Sequence, residues 1–370
     1  MTHRERLMKA VKGEWLDRPC SAFWGPHYNL EEANARDLAY ATIANQQAYG
    51  WDFIKVMESG MYFPEAFGQD MPANITEDMQ SWVNVEKFII NHGKDWLKLK
   101  PLQVKGNKIF ERNVEVIKRV ADHFQGDVPI LPTVFSPVSM AGEMTGGFFD
   151  EAKIVSMIQY DTKEVEYGLS VIEETLVNLM NAYIDAGADG FFFGFQNGLN
   201  AKLGWDAFME FEHAGSERVI NAVKDRTWFN MAHLCNGRFD KEENTKFIEG
   251  CLDLPFDAFN YSNTWTEIMP SFTDIRKKTD KVLVGGIKHS AMPLGRISWN
   301  SPKDNDFCGK DREVIKTRLR ERVDTAIEEA GNKLVIAGGC GCFEPHRFCV
   351  FDEVMEEVAE ERAKMHRTEN

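Results

Sequence analysis

The sequence predicts an α/β fold of the (β/α)₈ type, a TIM barrel in which parallel strands are enclosed by helices. Short apolar runs alternate with longer amphipathic stretches along the 370 residues, as in repeated β-then-α units joined by right-handed crossovers. Eight such runs occur, which matches the strand number of a barrel. Several are apolar throughout, which is typical of parallel strands buried on both faces. We therefore expect residues 1–370 to form one barrel domain.

The predicted strands, in chain order, cover residues 20–24, 52–57, 130–135, 190–195, 228–234, 258–261, 282–287 and 334–337. Amphipathic spacing predicts helices between most of them, over residues 38–49, 114–124, 167–186, 206–223 and 311–330. Several helices end in a stop signal that leads directly into a strand, as in DAGADGFFF and EAGNKLVI. A doubly wound open sheet is the alternative, but no predicted strand is followed by a G-x-G-x-x-G turn.

Two segments are too long to be simple connections between a strand and a helix. Residues 58–106 contain several aromatic side chains, and residues 288–310 form a second long loop after a predicted strand. A barrel places such insertions at the C-terminal face of its strands, where loops commonly build the substrate pocket. Surface decoration is the alternative of equal weight.

Composition and charge exclude several classes of function. The chain has 43 Lys and Arg against 58 Asp and Glu, a net charge of −15, and no basic run, so nucleic acid is not an expected partner. The first residues lack the apolar core of an export signal, and the longest apolar stretches are too short to span a membrane. The seven cysteines lack the spacing of a disulfide framework. We expect a soluble cytoplasmic protein with reduced thiols.

Two short segments carry side chains that could bind a metal. In FNMAHLCNG, residues 229–237, His233 and Cys235 lie two apart at the end of a predicted strand, so both side chains can face one centre. In IAGGCGCFEP, residues 336–345, Cys340 follows the last strand and reaches the same rim of a barrel. One imidazole and two thiolates suit zinc and leave a fourth position open. Taken alone, this spacing also fits buried apolar cysteines and a core histidine.

Four segments resemble the uroporphyrinogen decarboxylase superfamily: RERLMKAVKGEWLDRP at 4–19, YGWDFIKV at 49–56, HLCNG at 233–237 and GGCGCFEP at 338–345. The resemblance spans nearly the whole chain, and its order agrees with a barrel. Within that superfamily, H-x-C followed much later by G-C-G resembles the zinc-dependent methyltransferases of corrinoid systems. These include the coenzyme M methyltransferases of methanogens and the demethylating methyltransferases of anaerobic bacteria.

The resemblance implies a metal site and a reaction. The zinc ligands of those methyltransferases correspond to His233, Cys235 and Cys340, with Cys342 as a substitute or neighbour. From its position just after the two cysteines, and not from the resemblance, Glu344 is a further candidate as a metal ligand or as a partner of one. A methyl group would move between a corrinoid (methylcobalamin) and a thiol, a folate or a methoxylated aromatic. Because the sequence contains no D-x-H-x-x-G motif, we expect a separate corrinoid protein as partner. A homodimer is a further expectation from the relatives.

The resemblance to true uroporphyrinogen decarboxylases is poor at one decisive place. Their R-Q-A-G-R segment, whose arginines hold substrate carboxylates, corresponds here to AFWGPHYN at 22–29, which contains no arginine. A porphyrinogen bears many carboxylates and needs several fixed cations. A metal-free decarboxylase or lyase acting on a smaller, non-porphyrin acid remains the alternative, and a non-catalytic scaffold is a third hypothesis.

Aromatic and charged residues follow the first two strands. Trp24, His27 and Tyr28 could form an aromatic wall for a ring-shaped substrate or a corrin, although packing against a neighbouring loop is the alternative. Lys55 and Glu58 lie near the end of the second strand, where a structural salt bridge and a substrate contact are both plausible.

Further polar residues follow later strands. Asn197, Asn260, Tyr261 and Asn263 lie at strand ends and could hydrogen-bond a substrate. His289 follows the strand VLVGGI and is a candidate catalytic acid or base because the ordinary pKa of histidine is near neutrality. A solvated loop histidine is the simpler alternative.

Overall fold

The computed structural model describes residues 1–25, 34–70, 87–146, 152–196, 204–235, 240–288, 305–341 and 348–369. Eight strands form one sheet: β1 Cys20–Ser21, β2 Ile54–Val56, β3 Ile130–Phe135, β4 Phe192–Phe195, β5 Met231–Leu234, β6 Ala258–Asn260, β7 Val282–Ile287 and β8 Leu334–Gly338. Every paired strand is parallel to its neighbour, in the order β1-β8-β7-β6-β5-β4-β3-β2. This is the arrangement of a (β/α)₈ barrel and confirms the predicted fold class.

All eight predicted strands exist, and β3 and β7 begin and end where the sequence predicts. Both are buried along their whole length, in agreement with their continuous apolar runs. The predicted first strand is shorter, since only two of its residues pair with β8.

The edge between β1 and β2 is closed by a buried aspartate that the sequence suggested would be part of a strand. Asp52 donates its backbone N–H to the Ser21 carbonyl at 2.8 Å and accepts the Ser21 N–H on its own carboxylate at 2.8 Å. The same carboxylate accepts from Arg6 and Arg18, each at 2.6 Å, and contacts the His3 imidazole at 3.1 Å. Because Asp52 is fully buried, these partners supply the compensation that a desolvated charge requires.

Helices surround the sheet, and the five predicted helices are present with shifted ends. The α-helices cover His3–Lys12, Ala35–Tyr49, Tyr62–Ala66, Gly93–Trp96, Lys108–Phe124, Pro137–Thr145, Ala152–Tyr160, Thr162–Asp185, Trp205–Ala207, Ala214–Asn221, Lys241–Cys251, Phe272–Arg276, Arg312–Ala330 and Phe348–Glu369. The predicted helix over 206–223 is interrupted by a π-helix, Phe208–His213, and a 3₁₀ turn covers Lys224–Arg226. In the described part of the chain, no helix has both the length and the apolar character needed to cross a membrane.

The described aromatic residues of the first insertion pack in the interior. Tyr62, Phe63 and Trp96 are fully buried, and the rings of Tyr62 and Phe63 contact Phe110 on the helix Lys108–Phe124. Trp96 lies so close to Gly168 that a Cβ there would come within 2.2 Å of the indole. These side chains therefore extend the hydrophobic core, and a role in lining the substrate pocket is not favoured for them.

Candidate metal centre

The structure brings together three residues that are distant in sequence. His233 is in β5, Cys235 follows the last residue of that strand, and Cys340 lies two residues after the end of β8. One ligand atom from each, an imidazole nitrogen and two sulfurs, all lie within 4.8 Å of one another. His233 and Cys235 are buried and Cys340 is half-buried. The group lies at the C-terminal ends of the strands, the end at which barrel enzymes carry their active sites.

Local strand geometry explains how the first two residues face one centre. Cys235 continues the β4–β5 ladder by donating its backbone N–H to the Phe195 carbonyl at 2.9 Å. Successive side chains of an extended segment alternate between its faces, so His233 and Cys235 project to the same side. Cys340 reaches them from β8, which is joined to β5 through the continuous β5–β6–β7–β8 ladder.

The donor set fits zinc. Zinc binds thiolate sulfur at about 2.3 Å and imidazole nitrogen at about 2.0–2.1 Å, so its tetrahedral ligands lie less than about 4 Å apart. The three atoms of the group are within 4.8 Å, which leaves only a small contraction for coordination. One neutral imidazole and two thiolates balance the charge of Zn²⁺, and the three ligands found among the described residues fill three of its four tetrahedral positions.

A glycine beside Cys340 allows the close approach that places it. A Cβ on Gly339 would lie 2.4 Å from the Cα and 2.6 Å from the Oγ of Ser262, the second residue after β6. Non-bonded heavy atoms do not approach this closely, so any side chain at position 339 would push the segment that carries Cys340 away from Ser262.

We expect Gly339→Ala to lower the free energy of unfolding by about 1–3 kcal/mol, as overpacking does, and to weaken zinc binding because Cys340 is displaced. Urea unfolding and metal analysis of the purified protein measure the two effects. Gly168→Ala is the matched control, since its Cβ would meet Trp96 at 2.2 Å in the helix Thr162–Asp185. It should lose stability but keep its zinc. Normal zinc content in Gly339→Ala would contradict this account.

The imidazole of His233 is held on two sides. Its Nδ1 lies 2.6 Å from the Oδ1 of Asn260, the last residue of β6. Its ring stacks on Phe192 of β4, with 4.9 Å between ring centres and 30° between the planes. His233 and Asn260 are directly opposite each other in the β5–β6 ladder, which explains their contact.

Phe192 also contacts a second aromatic ring and a cation. The Trp24 ring meets it edge-on at 5.3 Å, and the Lys55 Nζ lies 4.5 Å from its ring centre. Lys55 also hydrogen-bonds the Met57 sulfur. Trp24 and Lys55, two residues singled out in the sequence, therefore lie one ring away from the metal candidate.

Three buried carboxyl groups lie on segments that follow β2, β3 and β4. Glu58 accepts the Thr133 N–H at 3.2 Å, and burial raises its pKa to about 7. Burial also raises the pKa of Glu143 well above its ordinary value and that of Glu212 to about 8. These groups hold a proton more strongly than exposed carboxyls do.

Two predicted substrate contacts have structural partners. Tyr261 is fully buried and donates its hydroxyl to the Ser271 carbonyl at 3.1 Å. Asn263 accepts the Gly286 N–H at 2.9 Å. Asn260 contacts His233, as described above. These positions do not favour direct contact of Tyr261 or Asn263 with a substrate.

Several predicted site residues lie outside the described residues: His27, Tyr28, Asn197, His289, Cys342 and Glu344. Conversely, the sequence did not single out Phe192 as a neighbour of His233, or Glu143 and Glu212 as buried acids. Phe192 belongs to the apolar run FFFGF, in which nothing distinguishes it from a core residue. The two acids lie within helical segments, where a glutamate is ordinarily exposed.

Comparison with known proteins supports the family resemblance. The family model described as uroporphyrinogen decarboxylase (URO-D) matches residues 2–298, a segment that contains His233 and Cys235 and ends before Cys340. A methyltransferase from Methanosarcina mazei has a similar structure, with a TM-score of 0.69 and 17% identity over 96% of this chain and 99% of that one. This likeness shows a shared fold.

A B12-independent methionine synthase from Shewanella sp. W3-18-1 is similar over 95% of this chain and 94% of its own, with a TM-score of 0.47 and 15% identity. No curated protein matches the sequence.

Proposed function

We propose that this chain, which belongs to the uroporphyrinogen decarboxylase family, is a zinc-dependent methyltransferase whose metal is held by His233, Cys235 and Cys340. The observation that carries the proposal is the grouping of their three ligand atoms within 4.8 Å at the C-terminal end of the barrel. The fold shared with a methyltransferase from Methanosarcina mazei is consistent with it. A structural zinc site is usually closed by a fourth protein ligand, whereas three ligands leave room for chemistry.

When bound, zinc would supply a Lewis acid that lowers the pKa of a coordinated thiol or polarises an ether oxygen. The residues of the chain contribute the surroundings. Phe192 and Trp24 form an apolar, aromatic wall beside His233. Such a wall excludes water from the methyl group in transit. Lys55, on the same ring, adds a positive charge that favours an anionic substrate group.

The methyl group would pass between a corrinoid (methylcobalamin) and a thiol, a folate or a methoxylated aromatic. With a thiol acceptor, the carbon–sulfur bond would form as the cobalt–carbon bond of the corrinoid substrate breaks, and the electron pair of that bond would stay on cobalt. The corrinoid would be carried by a separate corrinoid protein. The support for this part is the sequence resemblance of H-x-C at 233–235 and G-C-G at 339–341 to corrinoid-linked methyltransferases.

The first experiment is metal analysis of the purified chain, followed by assay with free methylcobalamin and a panel of thiols and methoxyarenes. We expect about one zinc per chain, as a single three-ligand site implies, and a zinc-dependent change in the cobalamin absorption spectrum. Removal of zinc with a chelator should stop the reaction, and its return should restore it. A zinc-free protein with full activity would contradict the proposal.

A metal-free decarboxylase acting on a non-porphyrin acid is the alternative, and one observation favours it. Lys55 places an ammonium group on the ring that stacks on His233, where it could bind a substrate carboxylate. Release of CO₂ from small acids by chelator-treated protein would support this alternative, whereas methyl transfer needs no carboxylate to be lost.

A further inference from the structure

The side chain of Asn260 joins three strands inside the barrel. It is fully buried at the end of β6. Its Oδ1 lies 2.6 Å from the Nδ1 of His233 on β5. Its Nδ2 donates to the Val284 carbonyl on β7 at 2.9 Å and to the Gly338 carbonyl on β8 at 3.1 Å. Every polar atom of this amide therefore has a partner within the protein.

These partners determine which way round the amide lies. The two backbone carbonyls can only accept hydrogen bonds, so the atom that faces them must be the NH₂ group. The opposite atom, facing His233, is then the carbonyl oxygen, which also can only accept. The Nδ1 of His233 must therefore carry the proton and donate it. In a neutral imidazole, the lone pair is then on Nε2.

We infer that Asn260 is a positioning residue that fixes His233 in its Nδ1–H tautomer and thereby presents Nε2 as the ligand atom. The inference rests on the proposed function for its purpose, since Nε2 would coordinate the metal beside Cys235 and Cys340. The Nδ1 of His233 is already engaged with Asn260, so Nε2 is the nitrogen left to bind. Partners of this kind hold both the tautomer and the ring orientation of metal-binding histidines.

The same amide also reaches the second ligand segment. Gly338, whose carbonyl it holds, is two residues before Cys340 and ends β8. One side chain thus fixes the positions of β5 and β8 relative to each other where the ligands leave these strands. Loss of the amide should therefore displace the segment that carries Cys340 as well as the imidazole of His233.

The first test is zinc affinity, measured by competition with a chromophoric chelator and independent of turnover. Asn260→Leu keeps the size of the side chain and removes its hydrogen bonds, and we expect zinc affinity to fall about 10–100-fold, as for other partners of metal ligands. Asn263→Leu is the matched control, because Asn263 is also buried after β6 but bonds the Gly286 N–H. We expect this control to keep wild-type zinc affinity. Equal affinities in both variants and the wild type would overturn the inference.

The second test does not depend on zinc, and it reads the tautomer in the wild-type protein. Nitrogen-15 NMR of the metal-free wild-type protein, labelled at histidine, distinguishes the two tautomers, and a His233→Gln sample identifies the signal. We expect Nδ1–H for His233 at alkaline pH, and an Nε2–H signal would overturn the inference. If the wild type binds no zinc, the proposed function fails, but the tautomer still decides whether Asn260 acts as inferred.

Discussion

Purified Cys340→Ala protein is expected to lose its zinc and its methyl-transfer activity while keeping its fold. Removal of a thiolate leaves two ligands, and we expect metal affinity to fall by more than the ~10–100-fold typical of losing a partner of a ligand. The fold should survive because Cys340 is half-buried beyond the end of β8 and contributes little to the core. Metal analysis, the methylcobalamin assay and circular dichroism measure the three outcomes.

The same result is expected for Cys235→Ala, and another buried cysteine gives the control. Cys251 ends the helix Lys241–Cys251 and is fully buried, and burial raises the pKa of its thiol well above the ordinary value, so it stays protonated. Cys251→Ala should keep zinc and turnover. If Cys340→Ala and Cys235→Ala both retained bound zinc and full activity, the ligand assignment would be wrong. Cys342→Ala should matter less, unless Cys340 and Cys342 exchange roles.

The largest effect on stability is expected at the β1–β2 edge. Asp52→Asn removes the charge that faces the guanidinium groups of Arg6 and Arg18 at 2.6 Å, within the protein interior. Breaking a buried ion pair from one side costs about 3–5 kcal/mol when the remaining charge is left unpaired. Arg6 keeps its bonds to Asp17, so the loss arises mainly from Arg18, whose ion pair with Asp52 is removed. Urea unfolding measures the loss. Asp17→Asn is the control: Asp17 pairs with Arg6 but its side chain is 32% exposed, so the loss should be about 1 kcal/mol or less. Equal losses of unfolding free energy in Asp52→Asn and Asp17→Asn would contradict the view that Asp52 is the buried charge that holds this edge together.

The same carboxylate predicts a dependence of stability on pH. Burial by itself would raise the pKa of Asp52, but the hydrogen bond from His3 and the charges of Arg18 and Arg6 lower the pKa overall. A lowered carboxyl pKa contributes stability above the unfolded value, near 3.9, and that contribution is lost as pH falls through the folded pKa. We expect the urea midpoint of the wild type to fall more steeply below about pH 4 than that of Asp52→Asn.

The sequence predicts the strands best where they are apolar along their whole length. β3 and β7 begin and end where the sequence predicts. Both strands are buried along their whole length, and burial is the property that a continuous apolar run reports. The second strand begins later than predicted, and Asp52, before its first residue, is held by Ser21 of β1 and by the charged side chains of Arg6 and Arg18. A local apolar pattern cannot reveal such long-range ion pairs.

The candidate metal group could also be anticipated, but its surroundings could not. Side chains alternate along a strand, which places His233 and Cys235 on one face, and all strands of a barrel end at one rim. These two rules are enough to predict that His233 lies near Cys340. The contacts of His233 with Asn260 and Phe192 depend instead on the register of β5 against its two neighbours. The register between neighbouring strands depends on the packing of the whole barrel, so it cannot be predicted from the local pattern of one sequence.

The barrel is not equally continuous around its circumference. Pairing runs without interruption from β5 to β8, whereas β1 and β2 are joined through the side chain and backbone of Asp52. The β1 strand also pairs with β8, which leads to Cys340, and Trp24, which follows β1, contacts the Phe192 ring beside His233. Loosening of the Asp52 joint would therefore reach the three candidate ligands from two directions.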